Sequence, residues 1–440
     1  MYTVGLYTLG CKVSQYETEA IGEKFERLGF SICPFEEKND VYVINTCTVT
    51  AESDAKCRKF IRRAVKKNPD ALVMVTGCYS QRDADAVMNI AGVSVVIGTE
   101  NKLSLPDMAK EMLAKRESTG GFEKYKSVTD VACAEFEAMS ISRAPRTRAY
   151  VKIEDGCESK CTYCAISYAR GRVRSKKPED AIAEVETLYA GGTREIVLTG
   201  IETGSYGRDF DGDYDLASLI CELAERKSCE RIRLGSLAPE LIGESFVNRV
   251  KGVDILAPHF HLSIQSGSDA VLRGMKRRYN SHMAMNTIEN IKKNIPRATF
   301  TTDLMVGFPG ESEENFLETV DFVRRAGFLD AHVFMYSKRA GTEAAEYDRQ
   351  IPEPIKKERS ERLMRVVAEV RDSVLDKIIS SEEHLSAIVE TRTDSYYTAH
   401  SDTYVEARFS SEREDLQGEM VLLRPLSHKD GVVYCELVNQ

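Results

Sequence analysis

Short apolar runs alternate with amphipathic stretches along the first 135 residues. An apolar run of a few residues predicts a buried strand, and apolar positions at helical spacing predict a helix. Strands are predicted at residues 2–8, 41–46, 72–76 and 93–97, and helices at residues 15–28, 52–67 and 81–90. Strands that alternate with helices are typical of a parallel sheet, so this part is predicted to be an α/β domain.

A second rhythm of strands and helices follows a linker predicted at residues 121–150 and runs to about residue 350. Its strands are predicted at residues 149–153, 195–199, 231–234, 261–264, 301–305 and 332–335, with helical stretches such as residues 178–190 between them. This rhythm indicates a partial (β/α)6 barrel. The site of such a barrel lies at the C-terminal rim, so the loop after the first strand is the expected place for catalytic groups.

The last part of the chain has a different texture. Residues 353–379 follow a helical period with many charges and predict a connecting helix. Short β-like segments at residues 385–391, 404–409, 420–424 and 432–437 then predict a small barrel of the oligonucleotide-binding sort. The chain is thus predicted to be of the α/β class, with domains at residues 1–135, 136–378 and 379–440.

Composition supports several domains and no membrane span. With 440 residues, 42% hydrophobic and 29% charged, the chain resembles a soluble globular protein of two or three domains. No apolar stretch approaches the length of a membrane helix. The segment at residues 1–7 has no basic region and predicts a strand, so we expect a cytoplasmic protein without membrane association. In that compartment the 12 cysteines bind metal or remain thiols.

Three cysteines, Cys157, Cys161 and Cys164, form a Cys-x3-Cys-x2-Cys triplet with no fourth cysteine nearby. A structural zinc site needs four ligands, and a bacterial ferredoxin run has a different spacing. Three thiolates on a cube of four irons leave one iron open to another ligand. The triplet therefore predicts a catalytic iron–sulfur cluster.

Cys11, Cys47 and Cys78 each follow a predicted strand of the first domain. Because the carboxyl ends of parallel strands meet at one edge of a sheet, these three thiols are predicted to lie together. Three separate buried core thiols are the alternative. The remaining cysteines match no motif and are interpreted as ordinary thiols; they are Cys33, Cys57, Cys133, Cys221, Cys229 and Cys435.

The triplet, with Tyr163 placed before its third cysteine, resembles the signature of radical S-adenosylmethionine enzymes. The resemblance implies that the amino and carboxylate groups of S-adenosylmethionine chelate the open iron, and that one electron then yields a 5′-deoxyadenosyl radical. Gly191-Gly192 with Glu195 resemble elements that contact this cofactor, with plain turn geometry as the alternative. The candidate cofactor-binding residues are Tyr163, Gly200, Gln265, Asp303 and Gly307.

The two triads and the three-part architecture are together similar to the methylthiotransferase family. Matching stretches include residues 8–14, 45–50, 76–78, 170–175, 265–268 and 307–311. The resemblance implies two 4Fe-4S clusters, an auxiliary one on Cys11, Cys47 and Cys78 and a radical-generating one on the catalytic triplet. It also implies a TRAM-like C-terminal barrel, S-adenosylmethionine as cofactor, an electron donor such as flavodoxin or ferredoxin, and a monomer. Both clusters are then expected to face one cavity, with the strand ends of the first domain over the barrel mouth.

Residues 151–157 and 168–172 look most like the branch that acts on N6-threonylcarbamoyladenosine. This branch adds a methylthio group to C2 of that nucleoside at position 37 of tRNA, so the anticodon stem-loop is the expected partner. Residues 143–177 contain ten Lys or Arg and three acids, which gives a local net charge of +7 in a chain whose net charge is −9. We interpret this stretch as a basic patch for phosphates and an anionic base, with a solvated basic loop as the alternative.

Other substrates remain open. Residues 381–440 contain twelve acids and five Lys or Arg, whereas a nucleic-acid module is usually basic. An acidic module would suit a basic ribosomal protein, whose aspartate is the substrate of another branch, and isopentenyladenosine in tRNA is a third choice. Tyr396, Tyr397 and Tyr404 would stack on bases or pack in the core. A two-cluster electron-transfer protein is the hypothesis from a different class.

Overall fold

The computed structural model describes residues 1–438, apart from the side chains of residues 117–119. The described chain falls into two compact units. The first contains Met1–Ile141, Lys152–Lys176 and Ser337–Ala345, and the second contains Ser142–Val151, Lys177–Tyr336 and Glu346–Gln440. The three domains drawn from the sequence pattern stay a prediction, and the last two residues of the third lie outside the described residues.

The elements alternate in chain order, as the sequence pattern predicts. The strands are β1 (Thr3–Thr8), β2 (Ser31–Cys33), β3 (Val41–Thr46), β4 (Leu72–Gly77), β5 (Val93–Ile97), β6 (Tyr125–Ser127), β7 (Arg148–Lys152), β8 (Glu154–Asp155), β9 (Arg174–Ser175), β10 (Glu195–Thr199), β11 (Arg231–Leu234), β12 (Ser236–Leu237), β13 (His259–Gln265), β14 (Thr299–Val306), β15 (Asp330–Met335), β16 (Leu385–Arg392), β17 (Tyr397–Ser401), β18 (Glu406–Phe409), β19 (Met420–Lys429) and β20 (Val432–Leu437). The helices are α1 (Lys12–Arg27), α2 (Ala51–Lys67), α3 (Cys78–Arg82), α4 (Ala84–Met88), α5 (Leu105–Thr119), α6 (Ile166–Arg170), α7 (Pro178–Ala190), α8 (Leu216–Glu225), α9 (Glu244–Val250), α10 (Asp269–Gly274), α11 (Ser281–Asn294), α12 (Glu313–Ala326) and α13 (Glu353–Ser380).

The first unit is built on a parallel sheet in the order β2-β1-β3-β4-β5-β6. Alternate residues of β3 and β4 enter two cores, with Tyr42 and Val73 on the side of α2 and Val43 and Met74 on the side of α1 and α5. Helices cover both faces, which explains why the central strands are continuous apolar runs in the sequence.

Most predicted elements of this unit are confirmed, but the single helix predicted at residues 81–90 is wrong. The chain instead forms α3, which starts directly at Cys78, and then α4. The break falls at Asp83, whose carboxylate accepts a hydrogen bond from Ala86 N and so starts the second helix. The three-residue strands β2 and β6 and the helix α5 were not predicted, and β6 lies inside the predicted linker.

The second unit contains the predicted partial barrel. Its strands form two parallel sheets in the orders β11-β10-β7 and β12-β13-β14-β15. The third strand of the barrel is divided at Gly235 into β11, which pairs with β10, and β12, which pairs with β13. All six strands predicted for the barrel are confirmed, and the helix predicted at residues 178–190 is α7.

The end of the chain forms a closed barrel in the order β16-β17-β18-β20-β19. This order is that of the oligonucleotide-binding fold, as predicted. Strand β17 was missed, and the strand predicted from residue 404 begins only at Glu406, because Tyr404 turns the chain with a φ of 67°. Among residues 1–438, no helix has both the length and the apolar content needed to cross a membrane.

Candidate active site

The first cysteine triad lies at one edge of the parallel sheet. Cys47 and Cys78 directly follow β3 and β4, which are neighbours in the sheet, with Thr46 and Gly77 paired in register. Cys11 follows β1 on the other side of β3. A Cβ atom built on Gly10 would lie 3.6 Å from the Cβ of Cys47. The parallel topology therefore brings the three residues to the same place, as expected.

The thiols of this triad influence one another electrostatically. Burial raises the pKa of Cys47 to about 11, and the neighbouring sulfurs of Cys78 and Cys11 add to the increase. Burial also raises the pKa of Cys78, which is 4% exposed. Metal binds the thiolate, so an electropositive group has to offset this burial. The three thiols form a donor set suited to iron and sulfur rather than to hard cations.

The backbone before Cys78 can be formed only by glycine. Gly77 has a φ of 102°, and a Cβ atom there would lie 2.4 Å from the carbonyl oxygen of Thr46. Side chains rarely adopt this conformation, and the neighbouring strand leaves no space for one. The glycine therefore turns the chain sharply from β4 into α3 and fixes the position of Cys78.

The second triad occupies the loop between β8 and α6. Strands β8 and β9 pair antiparallel and close the base of this loop. Gly156 has a φ of 88°, and a Cβ atom there would lie 1.8 Å from the carbonyl oxygen of Arg172. As in the first triad, an obligatory glycine precedes a cysteine.

Backbone amides point at two sulfurs of this loop. Ser159 N donates to Cys157 Sγ and Ile166 N donates to Cys164 Sγ, each at 3.4 Å. Cys164 N donates to the carbonyl oxygen of Cys161 at 3.0 Å, which tightens the turn between these two ligands. Amide donors to sulfur stabilise thiolates and adjust the potential of iron–sulfur clusters. The loop is therefore shaped as a thiolate cradle.

A single-ion site is not formed by these residues. Within the described part of the chain, no group of three His, Cys, Asp or Glu side chains is placed to hold one metal ion. Three thiolates on a cube of four irons each bind a different iron, so they stand farther apart than ligands of one ion. Both triads fit a cluster through their all-thiol donors, and the second also has amides directed at its sulfurs.

The two triads belong to the same compact unit and approach each other through their helices. Helix α3, which starts at Cys78, packs against α6, which follows Cys164. Arg170, the last residue of α6, donates from Nε to Cys78 Sγ at 3.2 Å. One side chain of the second loop therefore contacts a sulfur of the first triad.

A buried network of ion pairs surrounds this contact. Glu17 lies 2.6 Å from Arg170, 3.1 Å from Lys152 and 2.5 Å from Lys102. Burial opposes the ionisation of Glu17, but the three cations outweigh it and hold its pKa well below the usual value. Asp155 likewise pairs with Arg170 and Lys152. Unpaired buried charges are costly, so the network holds the two cysteine-bearing segments in one arrangement.

Three candidate cofactor-binding residues of the barrel lie at the C-terminal end of its strands. Gly200 directly follows β10, Gln265 ends β13 and Gly307 directly follows β14. Gln265 has a φ of 66° and is 7% exposed, and its Oε1 atom accepts no hydrogen bond from the residues that the structure describes. A buried amide oxygen without a donor is costly, which indicates that a ligand or water completes it. Tyr163, another candidate, stands between Cys161 and Cys164 in the sequence; it belongs to the first compact unit and is half-buried.

Gly307 marks the turn that leaves β14. Its φ is 72°, and a Cβ atom there would lie 2.4 Å from Lys356 Cγ. Its amide donates to Glu311 Oε2 at 2.7 Å, and that carboxylate is also bound by Arg359 at 2.7 Å. The turn is thus held by its own chain, and the packing of Lys356 explains why a glycine stands at this position.

Asp303 lies in the middle of β14 and bridges two histidines on the neighbouring strands. Its carboxylate is 3.2 Å from His261 Nε2 and 3.4 Å from His332 Nδ1. Burial opposes the ionisation of Asp303, yet the two imidazoles outweigh it and lower its pKa. The hydrogen bond with Asp303 raises the pKa of His332, whose side chain is 74% exposed. The predicted cofactor residue is therefore the centre of a His–Asp–His group.

Glu195 lies at the opposite end of its strand from the C-terminal rim, where a cofactor contact is expected. It is the first residue of β10 and so stands at the N-terminal end of the barrel, with Gly191 and Gly192 just before it. Arg233 and Arg231 bind its carboxylate at 2.7 and 3.1 Å. Burial opposes ionisation, but these cations lower the pKa of Glu195 to about 2. This position favours the turn-geometry alternative, to which Gly192 contributes a φ of 96°, and the cofactor contact at Gly191, Gly192 and Glu195 stays a prediction.

Glu202 lies at the C-terminal rim of the partial barrel and was not among the predicted site residues. It follows Gly200 at the C-terminal end of β10, and burial raises its pKa to about 7. Its carboxylate accepts a hydrogen bond from Ala238 N at 2.9 Å. The signal in the sequence is an acid two residues after a glycine that ends a strand. Such a carboxyl group can hold or release a proton near neutral pH.

The predicted basic patch is partly internal. Lys152, Arg170, Arg174 and Lys176 are buried, and the first three belong to the ion-pair network around Glu17 and Asp155. The cations that stay exposed are Arg143, Arg146, Lys160, Arg172 and Lys177. Fewer cations are therefore available to bind phosphates than the local charge of the sequence suggests.

The tyrosines of the small barrel also divide. Tyr397 is part of its core, as the packing interpretation predicts. Tyr404 stacks on His259 with ring centres 4.3 Å apart and lies under Arg233. Tyr396 is half-buried under Arg408. Of these three tyrosines, Tyr396 is the best placed to stack on a base, but Arg408 already lies over its ring.

Comparison with known proteins assigns both cysteine-bearing regions. A family model described as Radical SAM superfamily matches residues 151–323, and one described as Uncharacterized protein family UPF0004 matches residues 3–98. The fold resembles that of a solved radical S-adenosylmethionine methyltransferase, TsrM from Kitasatospora setae, with a TM-score of 0.56 and 15% identity. That match covers 78% of this chain and 77% of the other, and at this identity it shows the fold alone.

Relatives match over nearly the whole length. The chain is 39% identical to threonylcarbamoyladenosine tRNA methylthiotransferase MtaB of Bacillus subtilis, over 99% of this chain and 96% of the relative. It is 34% identical to the protein of the same name in Thermotoga maritima, over 91% of both chains. It is 32% identical to tRNA-2-methylthio-N(6)-dimethylallyladenosine synthase of Carboxydothermus hydrogenoformans, over 97% and 98%. The chain therefore belongs to the radical S-adenosylmethionine methylthiotransferase family.

Proposed function

We propose that this protein adds a methylthio group to C2 of N6-threonylcarbamoyladenosine at position 37 of tRNA, next to the anticodon. The observation that carries the proposal is the near full-length identity with two MtaB enzymes, at 39% and 34%. It covers both cysteine triads, which share one compact unit.

The cofactors are S-adenosylmethionine and two 4Fe-4S clusters. Cys157, Cys161 and Cys164 hold the cluster that binds S-adenosylmethionine, and Cys11, Cys47 and Cys78 hold the auxiliary cluster. Together these groups supply a carbon-centred radical and a transferable methylthio group, which no side chain provides. C2 of adenine offers no acidic proton, so radical chemistry is needed to activate it.

The rim residues of the barrel would position the cofactor and the base. The Oε1 atom of Gln265 accepts no hydrogen bond from the described residues and is therefore suited to accept one from a hydroxyl or amino group of a ligand. Gly200 and Gly307 are proposed to lie beside the cofactor at the C-terminal ends of their strands, and Tyr163 would contact the cofactor beside its cluster. Glu202, with a pKa of about 7, can accept a proton from a bound amine or return one.

The His–Asp–His group would recognise the anionic part of the substrate. The threonylcarbamoyl group carries a carboxylate, whereas a dimethylallyl group carries no charge. Asp303 favours the protonated form of His332, which is exposed and so able to donate to a carboxylate. Asp303 itself is a positioning residue in this assignment.

The remaining parts of the proposal concern partners. The anticodon stem-loop is the tRNA element bound, and the exposed cations Arg172 and Lys160 are suited to its phosphates. A reducing donor such as flavodoxin or ferredoxin would supply electrons. The protein is proposed to act as a monomer in the cytoplasm.

Nucleoside analysis tests the proposal directly. Bulk tRNA from a strain lacking this gene is digested and examined by mass spectrometry for 2-methylthio-N6-threonylcarbamoyladenosine. The expected result is loss of this nucleoside with accumulation of N6-threonylcarbamoyladenosine. Complementation with the natural gene restores it, and complementation with Cys157→Ala does not.

The same samples separate the alternatives. Loss of the methylthio derivative of isopentenyladenosine would assign the chain to the other tRNA substrate. Loss of a methylthio group from a ribosomal-protein aspartate would assign it to the protein substrate. Unchanged modifications, with no cleavage of S-adenosylmethionine by the anaerobically reconstituted protein, would favour an electron-transfer protein.

A further inference from the structure

Arg170 is the only described cation whose hydrogen bond reaches a sulfur of the first triad. Its Nε atom lies 3.2 Å from Cys78 Sγ, and its side chain is completely buried. A guanidinium group in that place can stabilise negative charge on the sulfur, since it offers both a donor and a fixed positive charge.

The guanidinium is held so that it cannot turn away. One terminal nitrogen lies 2.6 Å from Glu17 and 3.0 Å from Asp155, and the other lies 3.3 Å from Glu17. The carboxylates occupy the planar fork, which leaves Nε–H aimed at the sulfur. Such fixed geometry is what distinguishes arginine from lysine.

The surrounding network has an excess of positive charge. Among the described side chains it joins Lys102, Lys152, Arg170 and Arg174 to the three carboxylates of Glu17, Asp155 and Glu100. Burial and the neighbouring Arg170 lower the pKa of Lys102, as expected where cations exceed anions. The network is therefore completed by an anionic group at Cys78, and a cluster held by three thiolates is such a group.

We propose that Arg170 is a positioning residue that sets the reduction potential of the auxiliary cluster, through its N–H···S bond to Cys78 and its charge. Hydrogen bonds and positive charge near sulfur favour the reduced cluster, which carries more negative charge, and so raise the potential. Because Arg170 ends the helix that follows Cys164, the loop of one cluster adjusts the other. The inference rests on the proposed function, because it assumes a cluster on Cys11, Cys47 and Cys78.

The test measures the potential of the auxiliary cluster alone. In the full-length chain, Cys157, Cys161 and Cys164 are replaced by Ala, and the remaining cluster is titrated anaerobically with EPR detection. Arg170→Gln, which removes the charge and the fork, is expected to lower the potential by at least about 59 mV, a tenfold change in the one-electron equilibrium.

Two further variants keep the test decisive. Arg170→Lys retains the charge of the network, but lysine cannot bind both carboxylates and the sulfur, so the reduction potential is expected to decrease by less than in Arg170→Gln. This variant tests the inference even if Arg170→Gln fails to fold. Arg174→Gln is the matched control, because Arg174 is buried in the same network and bonds to Glu100 and to the backbone instead of Cys78. Its potential should shift clearly less than that of Arg170→Gln, because Arg174 contributes charge to the network but no hydrogen bond to the sulfur.

Two results would overturn the inference in different ways. If Arg170→Lys leaves the potential unchanged, or if Arg174→Gln shifts it equally, Arg170 acts only through the stability of the network. If the parent variant without the second triad contains no iron, the assignment of the first triad is wrong, and the role of Arg170 falls with the proposed ligand set.

Discussion

At the scale of single residues, two glycines set the cysteines in place. Gly77 and Gly156 each precede a cysteine and have a positive φ, and in each case backbone occupies the space of a Cβ atom. The sequence pattern alone did not distinguish them from ordinary turn glycines. Their requirement comes from Thr46 and Arg172, which lie on neighbouring segments.

Gly156→Ala is expected to destabilise the protein and to impair the second cluster. Gly29→Ala is the matched control, because Gly29 has a φ of 87° against 88° and no atom within 4 Å of its Cβ position. The control should lose about 1–2 kcal/mol of unfolding free energy from backbone strain. Gly156→Ala should lose several kcal/mol more and bind less iron, as measured by urea unfolding and iron analysis. Equal losses would show that the contact with Arg172 is unimportant.

His332→Gln is expected to weaken binding of N6-threonylcarbamoyladenosine tRNA, because glutamine donates a hydrogen bond but carries no charge. KM should rise about tenfold with little change in kcat. His282→Gln, on an exposed site of α11, is the control. A fall in kcat with unchanged KM would contradict the role in recognition.

The same histidine predicts a pH dependence. Because hydrogen bonding to Asp303 raises the pKa of His332 above 6.5, its cationic form is complete below that value and is lost as pH rises through the folded pKa. The kcat/KM of the natural enzyme should therefore decline on the alkaline side. His332→Gln should lack this decline, and an unchanged profile would exclude His332 as its source.

At the scale of elements, the N-terminal end of the barrel is joined to the small C-terminal barrel by buried arginines. Arg233 of β11 binds Glu195 of β10 and donates to the carbonyl oxygens of Ser401 and Asp402, at 2.9 and 3.0 Å. Arg231 donates to Ser386 at 2.7 Å. Both contacts lie within the second compact unit, and they give Glu195 a structural role.

Arg233→Met is expected to cost about 3–5 kcal/mol of unfolding free energy, because it removes one partner of the buried Glu195 carboxylate and the hydrogen bonds to the carbonyl oxygens of Ser401 and Asp402. Arg226→Met is the control, since Arg226 pairs with Glu222 on the surface of α8 and should contribute at most about 0.5 kcal/mol. Urea denaturation of the full chain measures both. A similar midpoint for the two variants would contradict the proposed junction.

At the scale of the whole molecule, the two triads are expected to divide the work. The natural protein should contain about eight irons after anaerobic reconstitution, and loss of either triad should leave about four. Replacement of Cys157, Cys161 and Cys164 by Ala should abolish cleavage of S-adenosylmethionine. Replacement of Cys11, Cys47 and Cys78 should preserve cleavage but abolish methylthio transfer to tRNA. Retention of transfer without the first triad would refute this division.

Periodicity predicted most strands of both units, because a buried strand needs a continuous or alternating apolar run whatever it packs against. It failed where a local polar group decided the structure, as at Asp83, which divides one predicted helix into two. The edge strands β2 and β6 were missed because each has only three residues, too few to show a period, and acquires β structure by pairing with the formed sheet.

The sequence by itself determined the two sets of three cysteines, the α/β class and the order of the parts, because spacing and periodicity are local properties of the chain. It also placed Cys11, Cys47 and Cys78 together, since parallel strands bring their carboxyl ends to one edge. Only the tertiary structure decided which charges are internal. Arg170 and Lys152 look like a surface patch in the sequence, yet Glu17, more than a hundred residues away, pairs with both in the interior. Charge shows that a residue is costly to bury, but the partners that offset this cost are known only once the chain has folded.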